Sequence, residues 1–138
     1  VLKGVTDIWG PTDVYGVRKL PGDAQVLVHG QVLAGMKPSD KPVAGRKNEP
    51  MMPLVWTRQF QTETGKTARV LATTMGASTD LQSAGLRRLL VNGCYWGLGL
   101  EKQITADSDV SYVGNYKPTR FGFGAFVKGI KPSDHALE

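Results

Sequence analysis

Asp13 and His29 are the side chains of this chain best suited to acid–base chemistry. A carboxylate or an imidazole held close to a substrate can take up or release the proton that a bond-breaking step requires. Asp13 stands beside Tyr15, whereas His29 falls within a predicted strand. We take Asp13 and His29 as candidate acid or base residues, with a position in the core as the alternative role for His29.

A second candidate site is the joint between a predicted strand and the helix that follows it, at 73–79. Backbone N–H groups at the start of a helix attract an anion or a polarised oxygen. The joint contains Thr74 and Gly76, and a glycine lets a ligand come close to the backbone. Thr74 and Gly76 are therefore candidate substrate-binding residues. The alternative is a plain capped helix in which Asp80 interacts with the helix dipole.

Trp56 and Arg58 lie two residues apart on a predicted strand and therefore share one face of it. An indole ring offers a stacking surface for a sugar, and a guanidinium group donates hydrogen bonds to hydroxyl groups. The pair is a candidate carbohydrate-binding pair. The alternative is a core tryptophan next to a charge at the sheet edge.

Motifs for several other chemistries do not occur in the sequence, among them GxGxxG, Walker A, GxSxG and HExxH. His29 and His135 are too far apart for metal-ligand spacing. The single cysteine, Cys94, lies within a predicted helix, where we expect it to be buried as a small apolar residue. We predict no metal and no cofactor, and one cysteine leaves the cellular compartment open.

The net charge of +5 raises the question of a nucleic-acid partner. The basic residues are scattered, and we expect no basic run with interleaved aromatic residues of the kind that a stacking groove needs. No apolar run approaches the ~20 residues of a membrane-spanning helix. The predicted partners therefore include neither nucleic acid nor a membrane.

Hydrophobic patterning predicts a β-hairpin followed by a helix. Runs rich in Val, Trp and Thr at 53–60 and 67–75 flank a turn that contains glycine. A further strand is predicted at 24–33 and a short one at 13–18. Thr79 and Gln82 match a capping box, so the helix is predicted to span roughly 80–98.

The predicted helix is apolar nearly all round. Besides a main stripe of leucine and glycine, its opposite side carries Ala84, Val91, Tyr95 and Leu98. A helix of this kind has neighbours on more than one side. We predict one long buried helix, with part of its packing supplied by a second copy of the chain or by polypeptide outside these residues.

Two segments are predicted to lack regular structure. The stretch at 35–52 is punctuated by glycine and proline, and we expect a long surface loop. The stretch at 111–138 is rich in glycine and aromatic residues, and we expect an extended arm whose aromatic side chains dock on another surface. The chain is thus divided into a domain at 1–110 and an arm at 111–138.

The chain resembles one known family in four runs, which read DIWGPTDVYGV, PLVWTRQF, GKTARVLATTMGA and LRRLLVNGCYWGLGL. They are similar to the C-terminal half of the ThuA-like (trehalose-utilisation) domain, and the resemblance covers about 1–100. It is strongest to variants from bacteria such as planctomycetes, whose tails look like FGFGAFVKGIKPSDHAL. In that subgroup the domain often follows an export signal, which implies a bacterial protein of periplasmic or secreted location.

The resemblance implies an α/β fold, namely the C-terminal part of a flavodoxin-like sheet similar to that of class I glutamine amidotransferases. It also implies a role in carbohydrate metabolism, with trehalose, related disaccharides or ketosugars as substrates. Asp13 and Tyr15 carry over as site positions, because they match an acidic-x-Tyr pattern of the family. The family's Gly-His pair is Gly76-Ala77 here, so that histidine is absent and catalytic competence is left open.

Three interpretations therefore stand side by side. The chain is a sugar-associated domain with Asp13 or His29 as acid or base, or a non-catalytic structural or subunit-association module. The third interpretation is one piece of a split or processed protein, paired with a missing N-terminal half. The predicted doubly buried helix favours the third interpretation or a homo-oligomer.

Overall fold

The computed structural model describes residues 1–13, 15–17 and 19–136. They form a small mixed α/β domain, as predicted, in which a three-stranded antiparallel sheet of order β1-β2-β3 packs against one helix. The elements in chain order are strands β1 (Gln25–Gly30), β2 (Met52–Gln61) and β3 (Thr67–Thr73), helix α1 (Ala84–Gly97), and short 3₁₀ helices at Asp80–Gln82, Glu101–Gln103 and Pro132–His135.

The predicted hairpin is confirmed. β2 and β3 pair without interruption from Val55 opposite Thr73 to Gln61 opposite Thr67. The turn closes with a 2.8 Å hydrogen bond from Thr62 N to Lys66 O. Gly65 has a φ of +78° there, a conformation that glycine adopts without steric cost.

Of the other two predicted strands, one is present, and the other is absent wherever the structure describes its residues. The strand expected at 24–33 is present as β1, but it ends at Gly30. The strand expected at 13–18 is wrong for Asp13 and for residues 15–17, which have no strand structure. Val14 and Arg18, which the same prediction covers, lie outside the described residues.

The helix starts later than the sequence predicts, so the capping-box assignment is wrong. Residues 80–82 form a separate 3₁₀ turn, and the side chain of Thr79 makes no capping hydrogen bond. Ser83 is the N-cap of α1, and its Oγ accepts a hydrogen bond from Leu86 N at 3.3 Å. At the other end Gly99 follows the C-cap residue Leu98 and has a φ of +75°, the left-handed conformation in which helices commonly end.

The core lies between the sheet and one side of α1. Val55 and Leu89 are fully buried there, next to Leu54, which is 8% exposed. A methyl group on Gly93 would lie 2.8 Å from a terminal carbon of Leu71, so this glycine lets the helix approach β3 closely. The N-terminal segment runs beside the helix and completes this layer, because Asn92 Nδ2 donates hydrogen bonds to Val1 O and to a second backbone carbonyl, Lys3 O.

The outer side of α1 is open. This corrects the prediction that Cys94 is buried and the prediction that the helix is buried on more than one side within these residues. Cys94 is exposed, not buried. Tyr95 is 36% exposed and Leu98 is 75% exposed, so within the described residues the helix is covered mainly on its sheet side. The reason is that the single sheet lies on one side of α1. Whether further polypeptide covers the outer side stays a prediction.

The C-terminal arm docks through its tyrosines. Tyr112 stacks on Tyr116 with ring centroids 4.9 Å apart, and the guanidinium of Arg87 lies 4.1 Å from the Tyr112 ring centroid. Tyr116 Oη donates a 2.6 Å hydrogen bond to Ser78 O. Phe121 and Phe123 are 82% and 97% exposed, so within the described residues they contact no covering surface, and their docking on another chain stays a prediction.

Candidate functional site

One cleft contains both candidate acid–base residues. It has a volume of about 390 Å³, and we call it the Asp13 cleft. The N-terminal segment at 7–13, the end of β1 and the loop at 31–38 form its walls. The polar side chains that line it are Asp7, Thr12, Asp13, His29 and Gln31, and the apolar ones include Ile8, Trp9, Val28, Leu54 and Met75.

His29 reaches the cleft through an irregularity in β1. The pairing of β1 with β2 shifts register between Val26 and Val28 and again between Val28 and His29. Neighbours in a regular strand point to opposite faces of the sheet. Such a bulge re-aims a side chain, and here Val28 and His29 both line the same cleft.

The segment that ends at Asp13 is held by the buried carboxylate of Asp80, which binds Thr12, the residue before Asp13. Thr12 Oγ1 lies 2.8 Å from each carboxylate oxygen of Asp80 and donates a hydrogen bond to that carboxylate. Asp80 is only 1% exposed. A side chain on Gly10 would meet the end of the Met75 side chain and the same carboxylate, so the segment that leads to Asp13 packs closely against both.

The strand–helix joint does not offer the free N–H groups that we expected. Gly76 N and Ala77 N both donate to Asp80 Oδ2, at 3.1 and 3.0 Å. The carboxylate of Asp80 therefore occupies the place that an anionic ligand would take. Thr74 is nearby, and its buried hydroxyl oxygen has no hydrogen-bond partner among the described residues.

Trp56 and Arg58 lie apart from the Asp13 cleft. Arg58 Nη2 forms an ion pair with Asp23 Oδ2 at 3.0 Å, and its guanidinium lies 5.2 Å from the centroid of the Phe60 ring. Arg58 lines a separate cleft of about 400 Å³ together with Trp96. Tyr15 is 61% exposed and is not among the residues that line the Asp13 cleft.

The sequence interpretation overlooked Trp9, Asp7 and Gln31 as lining residues of the cleft. Within the run DIWGPTD, the sequence interpretation selects only Asp13 as a candidate site residue. Its signal was the tryptophan between two acidic residues, since a turn rarely needs so large an aromatic side chain. Trp9 is half-buried and provides the one indole face in the Asp13 cleft.

Two carboxyl groups outside the cleft, those of Glu101 and Asp109, have a lowered pKa. A hydrogen bond from its own backbone N–H, and then the guanidinium of Arg69, hold the pKa of the Glu101 carboxyl below its ordinary value. The hydroxyl and then the backbone N–H of Ser111 lower the pKa of the Asp109 carboxyl. Both groups are stabilised in the charged form on the surface, away from the cleft.

Within the part of the chain that the structure describes, no group of three or more His, Cys, Asp or Glu residues is arranged to hold a metal ion. Over the same residues, none of the helices combines the length and the apolar character that a bilayer crossing requires. Comparison of the chain with known protein families, with curated proteins and with solved structures found no match in any of the three.

Proposed function

We propose that this chain is a ThuA-like domain of carbohydrate metabolism, the C-terminal part of a flavodoxin-like fold, and that it binds a neutral sugar in the Asp13 cleft. The observation that carries the proposal is that Asp13 and His29, chosen separately from the sequence, line one cleft together with Trp9. The resemblance of the four sequence runs supplies the substrate class, trehalose or a related disaccharide or ketosugar.

The lining of the cleft suits a sugar ring. Trp9 offers an aromatic face for the C–H side of a pyranose, while carboxylate and amide groups exchange hydrogen bonds with hydroxyls. Its volume of about 390 Å³ lies within the range of sites for small molecules. Asp7 and Asp13 place two acidic side chains in the lining, which favours a neutral ligand over an anionic one.

The reaction that this lining supports is proton transfer. In a ketosugar, Asp13 as a carboxylate base can remove a proton from the carbon next to the carbonyl while His29 as the acid gives a proton to the carbonyl oxygen, which forms an enediol. Return of the proton from Asp13 to the other enediol carbon, with the hydroxyl proton going back to His29, gives the isomeric sugar, restores both side chains and needs no redox partner. Tyr15 and the Trp56–Arg58 pair have no part in it, because they lie outside the cleft.

A second candidate function is subunit association without catalysis. It is favoured by the exposed outer side of α1 and by the exposed Phe121 and Phe123. Exposed large apolar side chains in this number are more typical of a surface that contacts another protein than of a surface that faces water. In this case the chain pairs with another copy or with a separate N-terminal half.

The test is an amide NMR titration of the full chain with trehalose, other disaccharides and their keto forms, with turnover followed in the same tube. We expect shifts confined to residues that line the Asp13 cleft. Trp9→Ala should weaken binding by about tenfold or more, and Trp56→Ala is the matched control that should leave it unchanged. Asp13→Asn should retain binding and lose turnover.

Two results would overturn the proposal. One is the absence of cleft shifts with every sugar in a folded sample, and the other is equal loss of binding in the Trp9 and Trp56 variants. Binding without turnover in the unmodified chain would show that the cleft is a sugar-binding site without catalysis, whereas no binding of any sugar would favour the subunit-association alternative.

A further inference from the structure

β3 is an edge strand with few of the features that protect sheet edges. The order β1-β2-β3 leaves its outer side without a neighbouring strand among the described residues. Protein edges are usually blunted by bulges, proline or lysine. The opposite edge strand, β1, has two register irregularities, whereas the β3 ladder has none. β3 reads TARVLAT, and its one charged residue, Arg69, already binds Glu101 and Trp96 O.

The backbone groups that face outward can be identified from the ladder. Thr74 N donates to Leu54 O and Thr62 N donates to Lys66 O. In an antiparallel pair, residues that exchange hydrogen bonds alternate with residues that do not. Even-numbered residues of β3 therefore bond to β2. The N–H and C=O groups that point away from the sheet belong to Thr67, Arg69, Leu71 and Thr73.

The sequence of β3 is nearly symmetric about Val70. When the strand lies antiparallel to a copy of itself with Val70 opposite Val70, Ala68 comes opposite Ala72 and Thr67 opposite Thr73. Only the pair of Arg69 with Leu71 joins unlike residues. In this register the four pairs that exchange hydrogen bonds are those of residues 67, 69, 71 and 73. These are the residues whose backbone groups point outward, and they supply about eight hydrogen bonds.

The side chains agree with this register. Val70 would occupy a pair without hydrogen bonds, in which opposing side chains lie closest. Val70 is 37% exposed and Phe60 is 39% exposed, on the face of the sheet opposite α1. The small Ala68 and Ala72 leave room for the neighbouring aromatic rings. The Arg58 of each copy stays paired with its own Asp23, which reduces repulsion across the joint.

We propose that two copies of this chain pair through their β3 edges, related by a two-fold axis at Val70, and form one continuous six-stranded antiparallel sheet. The contact is isologous, since the same strand is used by both subunits and closes the assembly at two copies. It buries both unpaired edges at once. The proposal is independent of any sugar in the Asp13 cleft.

Sedimentation velocity of the full chain over a concentration series tests the assembly. We expect a monomer–dimer equilibrium for the unmodified chain. Val70→Lys, which places two ammonium groups opposite each other, should raise the dissociation constant at least tenfold. Val113→Lys is the matched control, because Val113 is 88% exposed on the C-terminal arm and should leave the equilibrium unchanged. Circular dichroism verifies that both variants are folded.

Cysteine cross-linking tests the register and keeps the proposal falsifiable if Val70→Lys fails to fold. In a Cys94→Ser background, Val70→Cys should form a covalent dimer on mild oxidation. Ala72→Cys alone should not, but mixed with Ala68→Cys chains it should. A monomer at every concentration would overturn the proposal. So would a dimer that Val70→Cys does not trap, since that dimer uses another surface or another partner strand.

Discussion

Asp80 connects three parts of the chain with one buried carboxylate. It receives hydrogen bonds from Thr12 in the N-terminal segment and from Gly76 N and Ala77 N after β3. Its own backbone begins the 3₁₀ turn that leads into α1. A carboxylate that accepts several hydrogen bonds in a buried position holds its donors more firmly than a neutral acceptor does. The N-terminal wall of the Asp13 cleft therefore depends on this residue.

We expect Asp80→Ala to lower the free energy of unfolding by about 2–4 kcal/mol, because it leaves buried donors without an acceptor. Asp107→Ala is the control, since Asp107 is exposed, and it should change stability by less than about 0.5 kcal/mol. Urea unfolding followed by tryptophan fluorescence measures both. Equal midpoints for the two variants would show that the hydrogen bonds of Asp80 do not support the fold.

This role could not be predicted from the sequence. An aspartate after Thr79 is well placed to interact with a helix dipole, and that local effect was the expected one. The observed partner Thr12 lies 68 positions away in the chain. A local pattern contains no information about such a contact. The hydrogen bonds from Gly76 N and Ala77 N to Asp80 span only four and three positions, and they are the reason that these N–H groups are not free.

At the scale of elements, the β2–β3 hairpin was predictable because its signals are local. Alternating residues and a glycine-containing turn specify two paired strands within about twenty positions. The start of α1 was not predictable, because two consecutive stretches, Thr79 to Gln82 and Ser83 to Leu86, each begin with a capping residue. Only the first stretch has the glutamine of a capping box. In the structure, however, Asp80–Gln82 form a separate 3₁₀ turn, and Ser83 is the N-cap of α1.

Ser83→Ala and Thr79→Ala distinguish these two helix starts. We expect Ser83→Ala to cost about 1 kcal/mol of stability, because Leu86 N loses its capping acceptor. Thr79→Ala should cost less than about 0.5 kcal/mol, because its side chain makes no capping bond. Thermal unfolding by circular dichroism compares the two directly. The reverse order of stabilities would restore the helix start predicted from sequence.

At the scale of the whole molecule, α1 covers one face of the sheet and the N-terminal segment extends that layer. The sequence pattern identified the inner stripe of the helix, where Leu86 and Leu89 are buried as expected. It could not show that the opposite side is open, because the sequence does not tell whether an apolar residue has a neighbour packed against it. The cleft could not be predicted either, because its lining comes from four separate parts of the chain, namely 7–13, 28–38, Leu54 and Met75.

Asn92 links the helix to the N-terminal segment, and therefore links the core to the cleft. It is 1% exposed, and its Nδ2 lies 2.7 Å from Val1 O and 2.9 Å from Lys3 O. The same segment continues to Asp13. A side chain that does not line the cleft thus holds the base of one of its walls in place.

Replacing Asn92 with Ala should release that segment. We expect faster hydrogen exchange in a peptide covering 1–13, a loss of about 1–3 kcal/mol in the free energy of unfolding, and weaker sugar binding although no cleft residue has changed. Gln103→Ala, at an exposed position after α1, is the control for helix-end effects. Exchange in 1–13 that stays as slow as in the control would mean that Asp80 and Thr12 hold the wall without Asn92. In that case stability would fall while sugar binding stayed constant, which separates the two anchors of the segment.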